Sequence, residues 1–373
     1  QVIKPMYNTI QSFNSDESKL MLYHTGSTND AGYHLYDGNS YERIRRLDFR
    51  PRDIEEVFWS RSNPNTFIYV SRESGNDGRL IQYDITKEED PKTVLKDLNG
   101  ICADRRVPNG GEDPQMMSWN DDVIGLRCGN SPAFGFLYRI SSNELSPRVP
   151  LDGSNDYKPF YAPNPSASGN LVFLQGDVLD ARTMQKQRSL DVYRNDDGSY
   201  KTEHAVLGKL GSDDGFFSVV FDAPPRGCNG DRGAGIGTLV AFSMTRDSCR
   251  VIMGESNGWG YPLSGIHPSS LSTTRPNLVA VSIVGYKNLA FLSNGAQAPL
   301  TMSELVVADT NPGGPVYRVA HTRTFGKQAK NGGYKAYFGE PHPVISPKGT
   351  RVLFASDWYD SGSVDTYVVD LRR

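Results

Sequence analysis

Three histidines in the second half of the sequence have the side-chain type and spacing of a metal site. His267 and His342 take equivalent positions in two adjacent copies of a repeated strand pattern, and His321 ends the strand that leads into the last copy. Imidazole nitrogens bind divalent metals, so we predict that the three side chains share one ion such as Zn²⁺, Mn²⁺ or Ca²⁺. The alternative is that each ring only forms hydrogen bonds with a neighbouring loop.

A second set of residues is suited to moving protons and neutralising a carboxylate. His24, Arg72 and Arg127 each follow the second strand of a copy, and Tyr161 precedes the first strand of another. The repeat turns such positions toward one end of the fold. We predict that Arg127 or Arg72, or an ion bound by the histidines, neutralises a substrate carboxylate, while His24, which we expect to be exposed, or Tyr161 transfers protons.

Further residues at these positions are candidates for substrate binding. Glu56, Gln115 and Gln175 occupy the equivalent places in other copies, and we predict that their polar side chains line the same mouth. Trp259 and Trp358 fall near this mouth, where aromatic rings can stack on sugar faces. The alternative for both tryptophans is packing in the core.

The elements that position these residues form a repeat. Its clearest copy has the turn Ser346-Pro-Lys-Gly, a strand from Arg351 to Ala355, a polar loop and an alternating strand that ends at Asp370. The same order recurs near residues 11–37, 58–84, 117–139, 164–174, 216–242 and 267–309. Such copies are typical of propeller blades. We predict an all-β fold, a single domain over residues 1–373 that forms one seven-bladed β-propeller of four-stranded antiparallel blades. Residues 2–7 should add a strand to the last blade and close the ring.

Composition and charge limit the classes of partner. The 373-residue chain has 37 Gly, 23 Pro and 19 Tyr, which suits a turn-rich all-β protein, and it has no apolar stretch long enough for a membrane span. A net charge of −3 with interspersed acids and bases argues against a nucleic-acid partner. The local pairs Cys102/Cys128 and Cys228/Cys249 predict two disulfides. With a start at Gln1 rather than Met, they lead us to expect a secreted or periplasmic monomer.

The C-terminal copies resemble known families. Ser346-Pro-Lys-Gly, followed by Val352-Leu-Phe-Ala-Ser-Asp and Tyr367-Val-Val-Asp, resembles the TolB-like propeller repeat. Glu340-Pro-His-Pro-Val-Ile-Ser-Pro, followed by Phe354-Ala-Ser-Asp-Trp, resembles the terminal blade of propeller-type polysaccharide lyases, the oligogalacturonate-lyase and ulvan-lyase groups. The blade pattern covers nearly the whole chain, whereas the lyase-like detail covers about residues 259–358.

The resemblance implies a function and a metal site. In the oligogalacturonate-lyase family, two closely spaced histidines and a glutamine of the final blade bind a divalent metal together with a further histidine. His342 matches one of these positions and His267 is the counterpart of the separate ligand, whereas Glu340 and Pro341 stand where the family has the second histidine and the glutamine. The implied activity is β-elimination in a uronic-acid-containing polysaccharide.

Two other functions remain open on the sequence. A glycoside hydrolase on the same scaffold needs two carboxylates, for which Glu56 and Asp214 are the candidates. A non-catalytic propeller that binds a glycan or a protein needs neither. The products separate the three functions, because a lyase forms an unsaturated uronate that absorbs in the near ultraviolet, a hydrolase forms only a new reducing end, and a binding protein forms neither.

Overall fold

The structure, a computed structural model, describes most of the chain. The described residues are 2–25, 30–102, 108–110, 115–129, 133–151, 162–190, 204–220, 238–254, 257–259, 265–283, 304–324, 339–358 and 361–372. Their contacts divide the chain into two compact units. The first unit consists of Gln1–Ser12, Lys19–Leu47 and Glu203–Arg373, and the second of Phe13–Ser18 and Asp48–Thr202.

The first unit contains four antiparallel sheets. The first sheet is β1 (Val2–Lys4), β2 (Lys19–Thr25), β3 (Gly32–Asp37) and β4 (Arg43–Arg46). The fifth is β17 (Ala205–Leu210), β18 (Asp213–Val220), β19 (Thr238–Ser243) and β20 (Cys249–Met253). The sixth is β21 (Gly265–Ser269), β22 (Leu278–Ile283), β23 (Glu304–Asp309) and β24 (Val316–His321). The last is β25 (Val344–Ile345), β26 (Arg351–Ser356) and β27 (Asp365–Asp370).

The second unit contains the other three sheets. The second sheet is β5 (Val57–Trp59), β6 (Thr66–Val70), β7 (Arg79–Asp84) and β8 (Lys92–Asp97). The third is β9 (Val123–Cys128) and β10 (Phe134–Arg139), with β11 (Glu144–Leu145) and β12 (Val149–Pro150) both paired to β10. The fourth is β13 (Asn164–Pro165), β14 (Leu171–Leu174), β15 (Asp177–Asp180) and β16 (Lys186–Ser189).

This architecture confirms the predicted fold class, an all-β propeller of seven antiparallel blades. Six of the sheets have four strands, and the last has three within the described ranges. That residues 1–373 form a single domain stays a prediction. Within the described residues, no helix has the length and apolar character needed to cross a membrane.

The repeat owes its regularity to one turn that links the first and second strands of a sheet. In the last sheet the Gly349 N–H donates to the Ser346 carbonyl at 2.8 Å, and Gly349 has a φ of 62°, which glycine adopts without a Cβ clash. In the fourth sheet Gly169 and Ser166 form the same contact at 3.0 Å, and Gly169 has a φ of 73°. The strand after each turn is rich in buried β-branched and aromatic residues, which favour extended backbone.

The N-terminal strand meets the last sheet as predicted, but most of its pairing is with the first sheet. β1 pairs antiparallel with β2, with Val2 opposite Thr25 and Lys4 opposite Tyr23, and the Ile3 N–H donates to the Val364 carbonyl at 2.8 Å. The physical reason is the length of β2: the chain at Ser12 accepts a hydrogen bond from Met21, and β1 pairs with the other half of the same edge. The last sheet contacts β1 through a parallel bridge between Val2 and Val364.

A buried arginine also links the first and last sheets. Arg351 begins β26, is 2% exposed, and donates from its guanidinium to the Gly38 carbonyl and, at 3.3 Å, to the Tyr41 hydroxyl. A second polar contact joins the same two sheets, since the Thr366 hydroxyl of β27 donates to the Ile3 carbonyl of β1 at 2.8 Å. The two ends of the first unit are therefore fastened by polar side chains as well as by backbone pairing.

One of the two predicted disulfides lies within the described residues. Cys102 and Cys128 are bonded, with their Cα atoms 5.6 Å apart and 26 positions apart in sequence. The bond fastens the segment after β8 to the end of β9, within the second unit. Cys228 lies outside the described residues, so its predicted pairing with Cys249 stays a prediction.

We expect Arg351→Met to lower the free energy of unfolding by about 1–3 kcal/mol, because it leaves the Gly38 carbonyl without its buried donor. Arg275→Met, at an exposed position of the same unit, is the matched control and should change this free energy by less than about 0.5 kcal/mol. Urea unfolding followed by tryptophan fluorescence measures both. Equal midpoints for wild type and Arg351→Met would contradict the assigned role of Arg351.

We expect a double variant with serine at positions 102 and 128 to lose about 3 kcal/mol of unfolding free energy, since the disulfide closes a loop of 26 residues. The same urea experiment measures this loss. Alkylation of the unreduced wild type followed by mass spectrometry is the direct check, and a modified Cys102 or Cys128 would show that the bond is absent.

Candidate metal and catalytic site

His267 is placed by an irregular strand. It lies in β21, where the pairing with β22 shifts register between Gly265 and Pro268, so that one extra residue interrupts the ladder. Such bulges change the direction of a side chain. The His267 side chain is completely buried, and the Asn8 side-chain amide donates to the Pro268 carbonyl at 2.6 Å.

His342 is held in an uncommon backbone conformation. It sits between Pro341 and Pro343, and its φ of 37° lies in the left-handed region. For a residue with a Cβ this costs on the order of 1–3 kcal/mol, and such strain is typical of functional sites. The Ala355 N–H stabilises the segment by donating to the Pro341 carbonyl at 2.7 Å. The His342 side chain is completely buried, like that of His267.

A carboxylate joins the two imidazoles. Oε2 of Glu340 lies 3.5 Å from Nε2 of His267 and also 3.5 Å from Nε2 of His342. The centroids of the two rings are 4.4 Å apart. The Glu340 side chain is 19% exposed, so the carboxylate connects two fully buried rings to solvent.

The N-terminal segment and the residue before β17 complete the site. Nζ of Lys4 lies 3.5 Å from Nδ1 of His342, and the Tyr7 ring packs against the same imidazole at 5.0 Å between centroids. The Tyr7 hydroxyl is 3.0 Å from Nδ1 of His204, whose ring lies 4.2 Å from that of His267. The histidine cluster, as we call it, comprises these six residues: Lys4, Tyr7, His204, His267, Glu340 and His342.

Burial keeps the two central imidazoles neutral. It lowers the pKa of His267 well below its ordinary value, and the neighbouring His204 and Lys4 lower that pKa further. Burial also lowers the pKa of His342 well below its ordinary value, and Lys4, His267 and His204 add to the effect. A neutral imidazole carries a lone pair on one ring nitrogen, and this is the form that binds a metal ion.

The histidine cluster fits a divalent ion. One ligand atom from each of His267, Glu340 and His342 lies within 4.8 Å of the other two, and imidazole nitrogens with a carboxylate oxygen form a ligand set for Zn²⁺ or Mn²⁺. Neither ring nitrogen of His267 has a hydrogen-bond partner among the described residues. Burial of such an atom costs about 1–3 kcal/mol, which coordination of an ion would offset.

The third predicted ligand, His321, is not part of this cluster. It ends β24 with 61% of its side chain exposed, and its Nε2 lies 3.7 Å from Oε1 of Glu304. Two residues that the sequence reasoning did not select are there instead, namely Glu340 and His204. Glu340 could have been selected from the sequence as a third ligand, because it lies only two residues before His342. His204 directly precedes β17, the first strand of its sheet, whereas the predicted copy at residues 216–242 begins only within the second strand, β18.

His24 is not the exposed residue that its place after a strand predicted. It is 3% exposed and stacks on His34, with 3.8 Å between ring centroids. Its Nδ1 is 3.2 Å from Oδ2 of Asp30, and its Nε2 is 2.7 Å from the Tyr36 hydroxyl. Burial, followed by the neighbouring His34, lowers its pKa. Both ring nitrogens are already engaged, which argues against the predicted proton-transfer role.

The second unit contains most of the other predicted residues. Arg72 is exposed and Arg127 is half-buried on β9. Glu56 is buried, and its Oε1 accepts a hydrogen bond from the Gly110 N–H at 2.7 Å. Gln115 is buried, whereas Gln175 is half-buried with a φ of 49°. Tyr161 lies outside the described residues. The roles assigned to these residues stay predictions.

The two tryptophans have different surroundings. Trp259 is half-buried and packs against the hydrophobic core of the fifth to seventh sheets, which supports the alternative of core packing. Trp358 is 41% exposed. It stacks on Tyr367 with 4.8 Å between ring centroids and an interplanar angle of 23°.

Comparisons with known proteins identify the fold. No protein-family model matches the chain, and no curated protein matches it either. An oligogalacturonate lyase in complex with manganese is similar in structure, with a TM-score of 0.61 and 15% identity over 100% of this chain and 90% of that chain. The β-propeller domain of Myceliophteria thermophila Cps50 (Swd1) has a TM-score of 0.50 and 13% identity over 98% of each chain. A chain of a mitotic checkpoint complex has a TM-score of 0.52 and 9% identity over 100% and 89%. At these identities the likeness is one of fold.

Proposed function

We propose that the protein is a metal-assisted polysaccharide lyase that cleaves a uronic-acid-containing polysaccharide by β-elimination. The observation that carries the proposal is the contact of one Glu340 oxygen with both buried imidazoles, 3.5 Å from each. The similar fold of an oligogalacturonate lyase in complex with manganese supports it. The lyase-like sequence of the last blade supports it independently.

A β-elimination beside a uronate carboxylate has strict chemical requirements. The C5 proton is very weakly acidic until the adjacent carboxylate is neutralised, and the 4-oxygen has to leave with a proton. His267, Glu340 and His342 would hold the ion, which when bound supplies positive charge for the carboxylate. Lys4, whose charge already lowers the pKa of both buried histidines, adds positive charge at the same place.

Proton transfer is proposed for His204. It is half-buried, whereas His267 and His342 are completely buried, so it is the imidazole of the cluster that is best placed to meet a substrate. Its Nδ1 lies 3.0 Å from the Tyr7 hydroxyl. In the tautomer whose Nδ1–H donates to the Tyr7 oxygen, Nε2 carries the lone pair that a base needs. Tyr7 is therefore a positioning residue, and His204 takes the C5 proton and, once protonated, gives it to the leaving 4-oxygen.

The proposal includes a location outside the cytoplasm. The Cys102–Cys128 disulfide persists in an oxidising compartment, and polymeric uronates are extracellular substrates for a secreted or periplasmic enzyme. We propose that the protein acts there as a monomer.

We expect purified wild type incubated with Mn²⁺ or Zn²⁺ and then dialysed to retain about one ion per chain. His342→Ala should lose the ion, and Glu340→Gln should bind it about 10- to 100-fold more weakly. His321→Ala is the matched control and should bind like wild type, because the exposed His321 ring lies 3.7 Å from Glu304 of β23 and outside the histidine cluster. Elemental analysis measures the ion. An ion-free wild type, or equal loss in His321→Ala, would contradict the assignment.

We expect wild type with the bound ion to release an unsaturated product from a polyuronate, measured as near-ultraviolet absorbance. His204→Ala should lower kcat about 10²- to 10⁴-fold with little change in KM, since a base acts mainly in the transition state. Tyr7→Phe should lower kcat less, and His321→Ala should retain full activity. New reducing ends without absorbance would indicate a hydrolase. Binding without any product would indicate a non-catalytic propeller.

A further inference from the structure

An arginine, a tryptophan and a tyrosine form a layered stack at the edge of the last sheet. The Arg323 guanidinium carbon lies 5.3 Å from the centroid of the Trp358 ring, and Trp358 stacks on Tyr367. Tyr367 in turn stacks on buried Phe354, with 5.5 Å between centroids and 23° between planes. The stack therefore runs from the core to an arginine that is exposed.

The backbone conformation on both sides of the stack is uncommon. Arg323 has a φ of 53° and Trp358 a φ of 41°, in the left-handed region that residues with a Cβ rarely adopt. The Ser356 hydroxyl accepts the Trp358 N–H at 2.9 Å. Two facing residues held in strained conformations indicate that the contact between their side chains is specified by the fold.

The stack adjoins the segment that carries the ligands of the histidine cluster. Thr324, next to Arg323, donates from its hydroxyl to the Gly339 carbonyl at 3.3 Å. Ala355, at the end of the strand before Trp358, donates to the Pro341 carbonyl. Glu340 and His342 thus lie in a segment that is hydrogen-bonded at Gly339 to the stretch before it, which contains Arg323, and at Pro341 to the strand before Trp358.

We propose that Arg323, supported by Trp358, is a binding site for the carboxylate of a uronate residue next to the one that is cleaved. A guanidinium presents its N–H donors as a planar fork that matches a carboxylate, and it can do so while keeping other contacts. Stacking on an indole holds the plane of the fork and adds a cation–π contact. Because Tyr367 and Arg323 both lie against the indole, Trp358 serves as a support for the guanidinium rather than as an open platform for a sugar ring.

This inference rests on the proposed function for its choice of ligand, but its test does not need turnover. Trigalacturonate serves as the probe, and its fully methyl-esterified form has the same sugar frame without the carboxylate charges. Binding is measured by calorimetry with chelator present, so that no ion is bound and no cleavage occurs. The affinity for trigalacturonate then tests the subsite, and the absorbance assay of the ion-loaded protein tests catalysis separately.

We expect Arg323→Gln to bind trigalacturonate at least about tenfold more weakly than wild type, since a charge-assisted bidentate contact is lost. Arg323→Lys should recover only part of the affinity, because an ammonium keeps the charge but not the fork. Trp358→Leu should weaken binding in the same direction. The methyl ester should bind wild type and Arg323→Gln equally.

Arg148→Gln is the matched control. Arg148 is also exposed and lies over an aromatic ring, 4.4 Å from the Phe134 centroid, but it belongs to the third sheet. Its replacement should leave affinity for trigalacturonate unchanged. Three results would each overturn the subsite. One is equal affinity of wild type and Arg323→Gln for trigalacturonate, and another is that Arg323→Gln loses as much affinity for the methyl ester as for the acid. The third is that wild type does not bind the acid. Binding of trigalacturonate in chelator, together with no near-ultraviolet product from the ion-loaded wild type, would overturn the lyase proposal and leave the subsite standing.

Discussion

The candidate site depends on one electrostatic constraint, the removal of two imidazoles and a lysine from water. His267, His342 and Lys4 are each at most 1% exposed, and polar groups in such surroundings are stable only with compensating partners. Glu340 is a polar partner for both rings, because its partly exposed carboxylate lies 3.5 Å from each. The same burial that makes the arrangement costly keeps both histidines neutral, which is the state that a metal ligand requires.

The strand that fastens the first unit also brings the site its N-terminal residues. β1 pairs with β2 and meets the last sheet at Val364, and the same short segment places Lys4 beside His342 and Tyr7 beside His204. The Gln11 side chain adds a further tie, since its amide donates to the Ile345 carbonyl at 2.8 Å. Formation of the site is therefore coupled to the joining of the first and last sheets. A change that frees β1 would disturb the candidate site before it disturbed most of the core.

The sequence was most informative where a local rule dictates structure. The Ser-Pro-Lys-Gly turn requires a positive φ at Gly349, and the order of strand, turn and strand recurs along the chain. The fold class and the proximity of His267 to His342 could therefore be predicted from the repeat. The fifth copy lacks the Ser-Pro-Lys-Gly sequence, so its start was predicted near residue 216, in the second strand of its sheet, and His204 before the first strand was missed. His321 was mistaken for a ligand because proximity along the chain to the last blade does not determine which face of β24 a side chain occupies. The burial of His24 depends on Asp30 and Tyr36, contacts that no local pattern encodes.

Glu340 shows how a departure from a family pattern can be compensated nearby. The resemblance places a neutral glutamine or a histidine in this region, whereas the carboxylate of Glu340 binds a cation more tightly and leaves less net positive charge facing the substrate. A uronate polymer still has to be neutralised at its carboxylates for elimination to proceed. On the proposed function, Lys4 at 3.5 Å from His342 restores positive charge inside the site, and Arg323 provides it at the adjoining segment. On the proposed function, Glu340 would hold the ion, and Lys4 and Arg323 would restore the positive charge that the Glu340 carboxylate neutralises.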